Sequence, residues 1–291
     1  MPPVTVVTDT TACLPPDVVA DNGIEVVSLY VNFEGGERTV REAELMADLD
    51  AAYAEIRQSN VWPTTSQPSI GDFAAAYEPL VADGGEVVSI HISGGISGTC
   101  DAARQAAQQL EREGKGGERI RVVDSRSAAG GLGLVAFAAA RAAKGGADAD
   151  AVEARAADAR GALKMWFAVD TLEYLKRSGR IGAARAWIGT TLKIKPILTL
   201  ESEITPIERV RTSTRAFQRM LDYGRQRASD GADAWVVQHI RSHDEADRLV
   251  EELSGDYDTP PAFVSEIGPV LGVHTGPGLL GVGGIPRSLL E

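Results

Sequence analysis

The chain has 291 residues, of which 41 are acidic and 29 basic, for a formal net charge of −12. That balance repels a phosphate backbone as a whole, so no nucleic-acid partner is expected. No apolar run reaches the roughly 18 residues a membrane-crossing helix needs, and Met1-Pro2-Pro3-Val4 leads into a strand-like segment with no basic leader, so a cytoplasmic protein is expected.

Val4 to Val7 reads as a first strand, followed by the hydroxyl-rich turn Thr8 to Thr11 and a helix that starts at Pro15-Pro16 and stops at Gly23. A proline at a helix start forfeits no hydrogen bond, and a glycine just past the end accepts the left-handed backbone found there. Glu25 to Phe33 reads as one further strand. Arg41 to Ser59 carries Leu45, Leu49, Ala52 and Ile56 at helical spacing and reads as one amphipathic helix. Trp62 to Ser69 is a polar loop between Pro63 and Pro68, which bias the residues before them towards extended backbone. Thr64, Thr65 and Ser66 therefore project from a stiffened segment. Ser69 and Asp72 match a capping box for a helix from Ile70 to Val81.

The apolar run Val87 to Ile92 predicts a buried parallel strand, with His91 a packed core residue inside it, and Cys100 to Leu110 predicts an Ala-rich helix. Between them lies Ser93-Gly94-Gly95-Ile96-Ser97-Gly98-Thr99. Unpaired N–H groups and the positive dipole end make such a turn favourable for a carboxylate or phosphate. Around Ser97 the G-x-S-x-G elbow fails by one residue, because Thr99 stands where its last glycine should be, and no P-loop pattern is present. The turn suits holding an anion better than reacting with one; a plain helix cap is the competing reading. The pattern repeats with a strand from Arg119 to Val123, a turn from Asp124 to Gly131 and a helix from Leu132 to Lys144. Three hydroxyl-rich turns thus share the carboxyl edge of a parallel sheet, where open α/β sheets bind ligands. Asp9 and Asp124 are expected to serve as turn residues.

A helix from Asp148 to Leu163 closes an N-terminal domain, 1–163. The C-terminal domain, 164–291, reads as a strand Met165 to Val169, a short helix Thr171 to Lys176, a glycine-punctuated turn Arg177 to Gly182 and a helix Ala183 to Leu192. A hairpin of Pro196 to Leu200 with Thr205 to Val210 follows, then a helix capped by Ser213, a strand Ala234 to Ile240 and a helix Asp244 to Leu253. Ala262 to Ile285 reads as strand-like runs broken at Gly268-Pro269 and at His274 to Gly278, with His274 at a strand end. The fold class is α/β: a mostly parallel N-terminal sheet flanked by helices, plus a C-terminal α+β domain with a mixed sheet. Cys13 and Cys100 are too few for a disulfide framework, and the four histidines are scattered without a zinc-binding helix pair, so no metal is expected. Lys176, Arg177, Arg180, Arg185, Lys193 and Lys195 form a cationic run without an acidic residue. It is either a solvated face or, with Trp187 and Ile188, a platform for transient contact with an anionic membrane surface.

Asp9-Thr10-Thr11 after the first strand, Thr65-Ser66-Gln67-Pro68-Ser69, Ser93 to Thr99, Val123-Asp124-Ser125, Leu175 to Ile181 and His274-Thr275-Gly276-Pro277-Gly278 together resemble the DegV family in order and spacing. These are bacterial fatty-acid-binding proteins that include the lipid-presenting subunits of fatty acid kinase. The resemblance spans essentially the whole chain, and T-S-Q-P-S together with S-G-T carries most of its specificity. It implies a non-enzymatic protein that encloses a long-chain fatty acid between two domains, without a cofactor, and in some members presents the carboxylate to a separate kinase. By motif, Thr65 and Ser97 would bind the carboxylate, Ser93 would lie beside it, His274 would contact it through water or support that shell, and Arg180 would belong to the ligand-binding set. Two other chemistries stay open to the same residues: a serine hydrolase using Ser97 with His274, and a binder of a small phosphorylated metabolite.

Overall fold

The computed structural model describes residues 3–188 and 194–291. Short apolar runs alternating with Ala-rich segments become β1 (Val4–Asp9), α1 (Pro16–Asn22), β2 (Glu25–Val27), β3 (Tyr30–Phe33), β4 (Arg38–Arg41), α2 (Glu42–Leu45) and α3 (Leu49–Gln58). Next come β5 (Thr64–Ser66), α4 (Ile70–Val81), β6 (Glu86–His91), α5 (Thr99–Arg112), β7 (Ile120–Asp124), α6 (Ala129–Lys144) and α7 (Ala149–Ala162). The later part holds β8 (Lys164–Ala168), α8 (Glu173–Arg177), β9 (Lys195–Glu201), β10 (Glu203–Val210) and α9 (Ser213–Ser229). It ends with β11 (Ala234–His239), α10 (His243–Leu253), β12 (Phe263–Glu266), α11 (Pro269–Thr275) and β13 (Leu280–Ile285).

Among the described residues three sheets result. The order β2-β1-β6-β7 is wholly parallel, β10-β9-β8-β13-β11-β12 is antiparallel except where β11 meets β12, and β4-β3-β5 is antiparallel. Phe73, Tyr77 and Ala106 of α4 and α5 pack on Val7 and Val87 on one face of the parallel sheet. Leu132, Val135 and Ala139 of α6 pack with Val6, Val88 and Ile90 on the other face, in the same cluster as Val236 and Ile285 of the six-stranded sheet. Helix α6 is therefore the layer between the two large sheets, and Gly130 shows how close it comes: a Cβ there would sit 2.7 Å from the Gln238 side chain. The far face of the six-stranded sheet is covered by Phe217, Met220 and Leu249 of α9 and α10.

Four local expectations need correction. Glu25 to Phe33 is two strands in two sheets, because the backbone of Leu29 bonds elsewhere: its N–H donates to Thr10 Oγ1 (3.1 Å) and its carbonyl accepts from Glu42 N (2.8 Å). Arg41 to Ser59 is not one helix, since β4 claims its start and Asp48 caps a new helix by accepting from Ala51 N at 2.9 Å. The loop 62–69 contains β5, whose Thr65 stands opposite Val31. Thr212, rather than Ser213, caps α9 through Arg215 N at 3.1 Å. By contrast, the Ser69–Asp72 capping box and the left-handed Gly23 stop are both present. Between α8 and β9, the segment expected as a helix from Ala183 to Leu192 starts as a 3-10 helix, Gly182–Trp187, and the end of the expected helix lies outside the described residues. Among the described residues no helix is long and apolar enough to cross a membrane.

Candidate ligand-binding site

At the carboxyl ends of β1, β6 and β7 the polar turns divide into two groups. One is buried structure. Asp9 accepts from Thr11 N and Ile92 N, both at 3.1 Å, and bonds His91 Nδ1 at 2.9 Å. The His91 ring continues to Ser89 Oγ at 2.6 Å, and Ser89 to the Tyr77 hydroxyl at 2.7 Å. All four side chains are buried, so this chain of hydrogen bonds holds the core of the sheet and reaches no ligand. Asp124 is a turn residue that accepts from Arg126 N at 2.8 Å.

The other group faces a cavity of about 110 Å³ between the strand ends, α11 and the inner face of the six-stranded sheet. Apolar walls come from Ile92, Met165, Phe167, Leu200, Ile267 and Leu271. Its polar lining includes Thr65, Ser97, Arg180 and His274, four of the residues expected from the sequence. Thr65 is delivered by β5, Ser97 by the turn before α5, Arg180 by the turn after α8, and His274 by the last turn of α11. Four segments distant in sequence thus meet at one site.

Thr65 Oγ1 and His274 Nε2 are hydrogen-bonded at 2.7 Å, while His274 Nδ1 is buried without a partner among the described residues. Burial, and then the nearby Arg180 charge, push the His274 pKa down to about 4, so the ring is neutral at pH 7. Ser97 Oγ bonds Thr99 Oγ1 at 2.8 Å. Gly98 precedes α5 without a side chain to cap it, and the first N–H of the helix, Thr99 N, makes a long 3.4 Å bond to Ser97 Oγ. Gly98 lies close to the Gln67 side chain, since a Cβ there would lie 2.7 Å from the Gln67 amide. Arg180 donates to Ser178 O at 2.6 Å and lines both the cavity and a shallow outer groove with Arg185.

Ser93 is not part of this lining. Its hydroxyl donates to Ser202 O at 2.6 Å and its side chain is fully buried, so it pins the turn to the β9–β10 hairpin instead. His274 also differs from expectation in its backbone, which is helical rather than strand-end: Pro269 occupies a helix start and Gly276, at φ 75, its C-cap. For hydrolysis, a serine must share a hydrogen bond with its base. Here His274 pairs with Thr65, Ser97 with Thr99 and Ser93 with Ser202 O.

Sequence reasoning passed over Gln67, Ser127 and Gln238, which also line the cavity. Gln67 was legible, since it lies in the same T-S-Q-P-S segment as Thr65. Gln238 had no signal; it lies in an apolar strand, and its amide is bonded to Gly130 N and, at 3.0 Å, to Ser265 Oγ. Both cysteines are buried thiols, and burial raises each, Cys100 to about 12.

The same architecture recurs in known proteins. A DegV domain-containing protein of Streptomyces coelicolor is 38% identical over 285 residues, covering 96% of this chain and 97% of that one. The structure of DegV, a fatty acid binding protein from Bacillus subtilis, is 33% identical with a TM-score of 0.84, covering 97% of this chain and 99% of its own. A fatty-acid-binding DegV family protein from Thermus thermophilus is 34% identical with a TM-score of 0.83, covering 98% and 99%. The model for "Uncharacterised protein, DegV family" matches residues 3–287, and the chain belongs to that family.

Proposed function

We propose that this chain binds a long-chain fatty acid in the cavity, with the carboxylate at Thr65, Ser97, His274 and Arg180 and the acyl chain against the apolar walls. The observation that carries this reading is the make-up of one cavity: a mostly apolar lining that includes Met165, Phe167, Leu200 and Ile267, with Thr65 bonded to His274, the Arg180 charge close enough to act on that ring, and Ser97 among the polar groups that distant segments add to the same lining. Burying a methylene is worth roughly 0.8 kcal/mol, so a tail of about fifteen carbons gains on the order of 10 kcal/mol before the cost of association. The tail supplies affinity and the polar end supplies orientation. Similar structures from Bacillus subtilis and Thermus thermophilus are of fatty-acid-binding proteins, which supports the same ligand class here.

The protein acts as a carrier, or presents the carboxylate to a separate fatty acid kinase, rather than as an enzyme. Supporting this, the polar residues offer hydrogen bonds and one positive charge but no nucleophile paired with a base. The mostly apolar lining is a poor match to a small phosphorylated metabolite. The cationic segment around Arg185 touches an anionic membrane surface transiently during loading. Mass spectrometry of organic extracts from the denatured, purified protein tests the ligand class. A long-chain fatty acid at near-stoichiometric yield is the expected result; a phosphorylated metabolite, or no lipid even after incubation with oleate, would overturn it.

A further inference from the structure

Away from the cavity's polar end, His239 ends β11, His243 opens α10, and Glu266 ends β12 as the register partner of His239. His243 Nε2 lies 3.3 Å from Glu266 Oε2, and the two imidazole rings are 4.4 Å apart at 64°. One nitrogen or oxygen from each of the three residues lies within 4.8 Å of the other two. The sequence reading, which expected no metal, passed over the fact that these two histidines are four apart; they meet across a strand, a turn and the first residue of a helix rather than on one helix face.

We propose that His239, His243 and Glu266 form a site for a divalent transition-metal cation, Zn²⁺ above all. Two imidazoles and one carboxylate are the donor set that favours such an ion over Mg²⁺ or Ca²⁺, which prefer oxygen alone. Bonds of about 2.0 to 2.2 Å to a tetrahedral ion separate its ligands by roughly 3.3 to 3.5 Å, the spacing His243 and Glu266 already have. His243 is the ligand able to close the remaining gap to His239, because its side chain is 57% exposed and stands at a helix start.

The surroundings orient the ligands. Glu266 Oε1 accepts from Arg241 N at 2.9 Å, which leaves Oε2 turned to the histidines. Such fixing of a ligating carboxylate by its second oxygen is how outer groups aim a metal ligand. Arg241 itself opposes a cation, but its guanidinium is shared with Asp50, and Asp247 stands one helical turn beyond His243. His239 Nδ1 receives only a long 3.4 Å contact from Ser242 N. Water completes the coordination on the exposed side. The ligands adjoin Gln238 and Ile267, both cavity-lining, so a bound ion would tie the ends of β11 and β12 together behind the cavity wall.

The test is calorimetric titration of the full-length, tag-free protein, stripped with EDTA, with ZnCl₂ near neutral pH. One ion per chain with micromolar or tighter affinity is expected. His243→Ala should weaken binding at least about tenfold, a loss of roughly 1.4 kcal/mol, and the thermal stabilisation by Zn²⁺ should vanish with it. Because Glu266 also holds Arg241, Glu266→Gln is read alongside His243→Ala, whose position is exposed and whose denaturation in EDTA should match the parent. Absence of stoichiometric binding, or binding that survives both substitutions, overturns the site.

Discussion

At the scale of single residues, the hydrogen bond between Thr65 and His274 decides how the cavity meets an anion. A neutral imidazole carries one N–H. With the proton on Nε2, His274 donates to Thr65 Oγ1, and the threonine O–H is free to donate to a carboxylate. With the proton on Nδ1, the threonine O–H is spent on the ring instead, so an anion selects the first arrangement. Thr65→Val keeps the shape and removes this donor. A hydrogen bond to a charged group nets roughly 1.5 to 3 kcal/mol, so fatty-acid affinity should fall about 10- to 100-fold. Ser97→Ala should weaken binding by a similar or smaller factor. Displacement of a fluorescent fatty acid measures both, and unchanged affinity in the two variants would remove the carboxylate role given to these hydroxyls. That Thr65 and Ser97 line the cavity was legible through the family resemblance, because each lies in one of the short polar motifs that carry it. The pinning of Ser93 to Ser202 was not, since it depends on where a hairpin 109 residues away folds back.

At the scale of elements, α11 shows both what a one-dimensional reading misses and why the piece is stable. Val270, Leu271 and Val273 are apolar enough to resemble a strand, yet Pro269 at the start and Gly276 after the end are helix punctuation. The three-stranded sheet was hidden for another reason: β3, β4 and β5 are at most four residues each, and although β4 pairs locally with β3, β5 joins β3 only from more than 30 residues away. What holds α11 is Glu42, wholly buried, whose Oε1 accepts from Val270 N at 2.8 Å and whose Oε2 accepts from Thr10 Oγ1 at 2.5 Å. Burial, which outweighs these hydrogen bonds, raises its pKa from 4.5 to about 7. The folded state therefore holds the Glu42 proton more tightly than the unfolded chain. Its favourable contribution is complete below the unfolded value and is lost as pH rises through about 7. Glu42→Gln removes that loss. The stability of the variant relative to the parent, from urea midpoints, should improve between about pH 4.5 and pH 7.5 by on the order of 3 kcal/mol. Other titrating groups cancel in the comparison, so a difference that stays flat with pH would mean Glu42 does not carry this charge cost.

At the scale of the whole molecule, the proposed loading from an anionic lipid surface would have a chain of net charge −12 approach that surface against its own field. The cationic run is the one stretch of the sequence suited to that task, but the fold narrows it. Lys176 lies 3.8 Å from Glu173, Lys195 is bonded to Asp170, Arg177 stacks over Trp62 at 5.1 Å, and Lys193 is outside the described residues. Arg180 and Arg185 remain exposed, beside Ile188 at 38% exposure, and the groove they share meets the cavity at Ile96 and Arg180. A basic residue near an anionic surface is worth about 1 kcal/mol, so a single reversal of sign acts roughly twice as strongly. Arg180 lines the cavity and cannot report on the membrane alone, whereas Arg185→Glu with Ile188→Asp leaves the ligand contacts in place. Transfer of fatty acid from vesicles rich in phosphatidylglycerol should slow by about tenfold in this double variant, with the difference shrinking at high salt as charges are screened. Transfer from phosphatidylcholine vesicles should change little. Equal slowing on both surfaces would point to a damaged cavity, and equal rates for variant and parent on the anionic vesicles would mean that loading does not use this face.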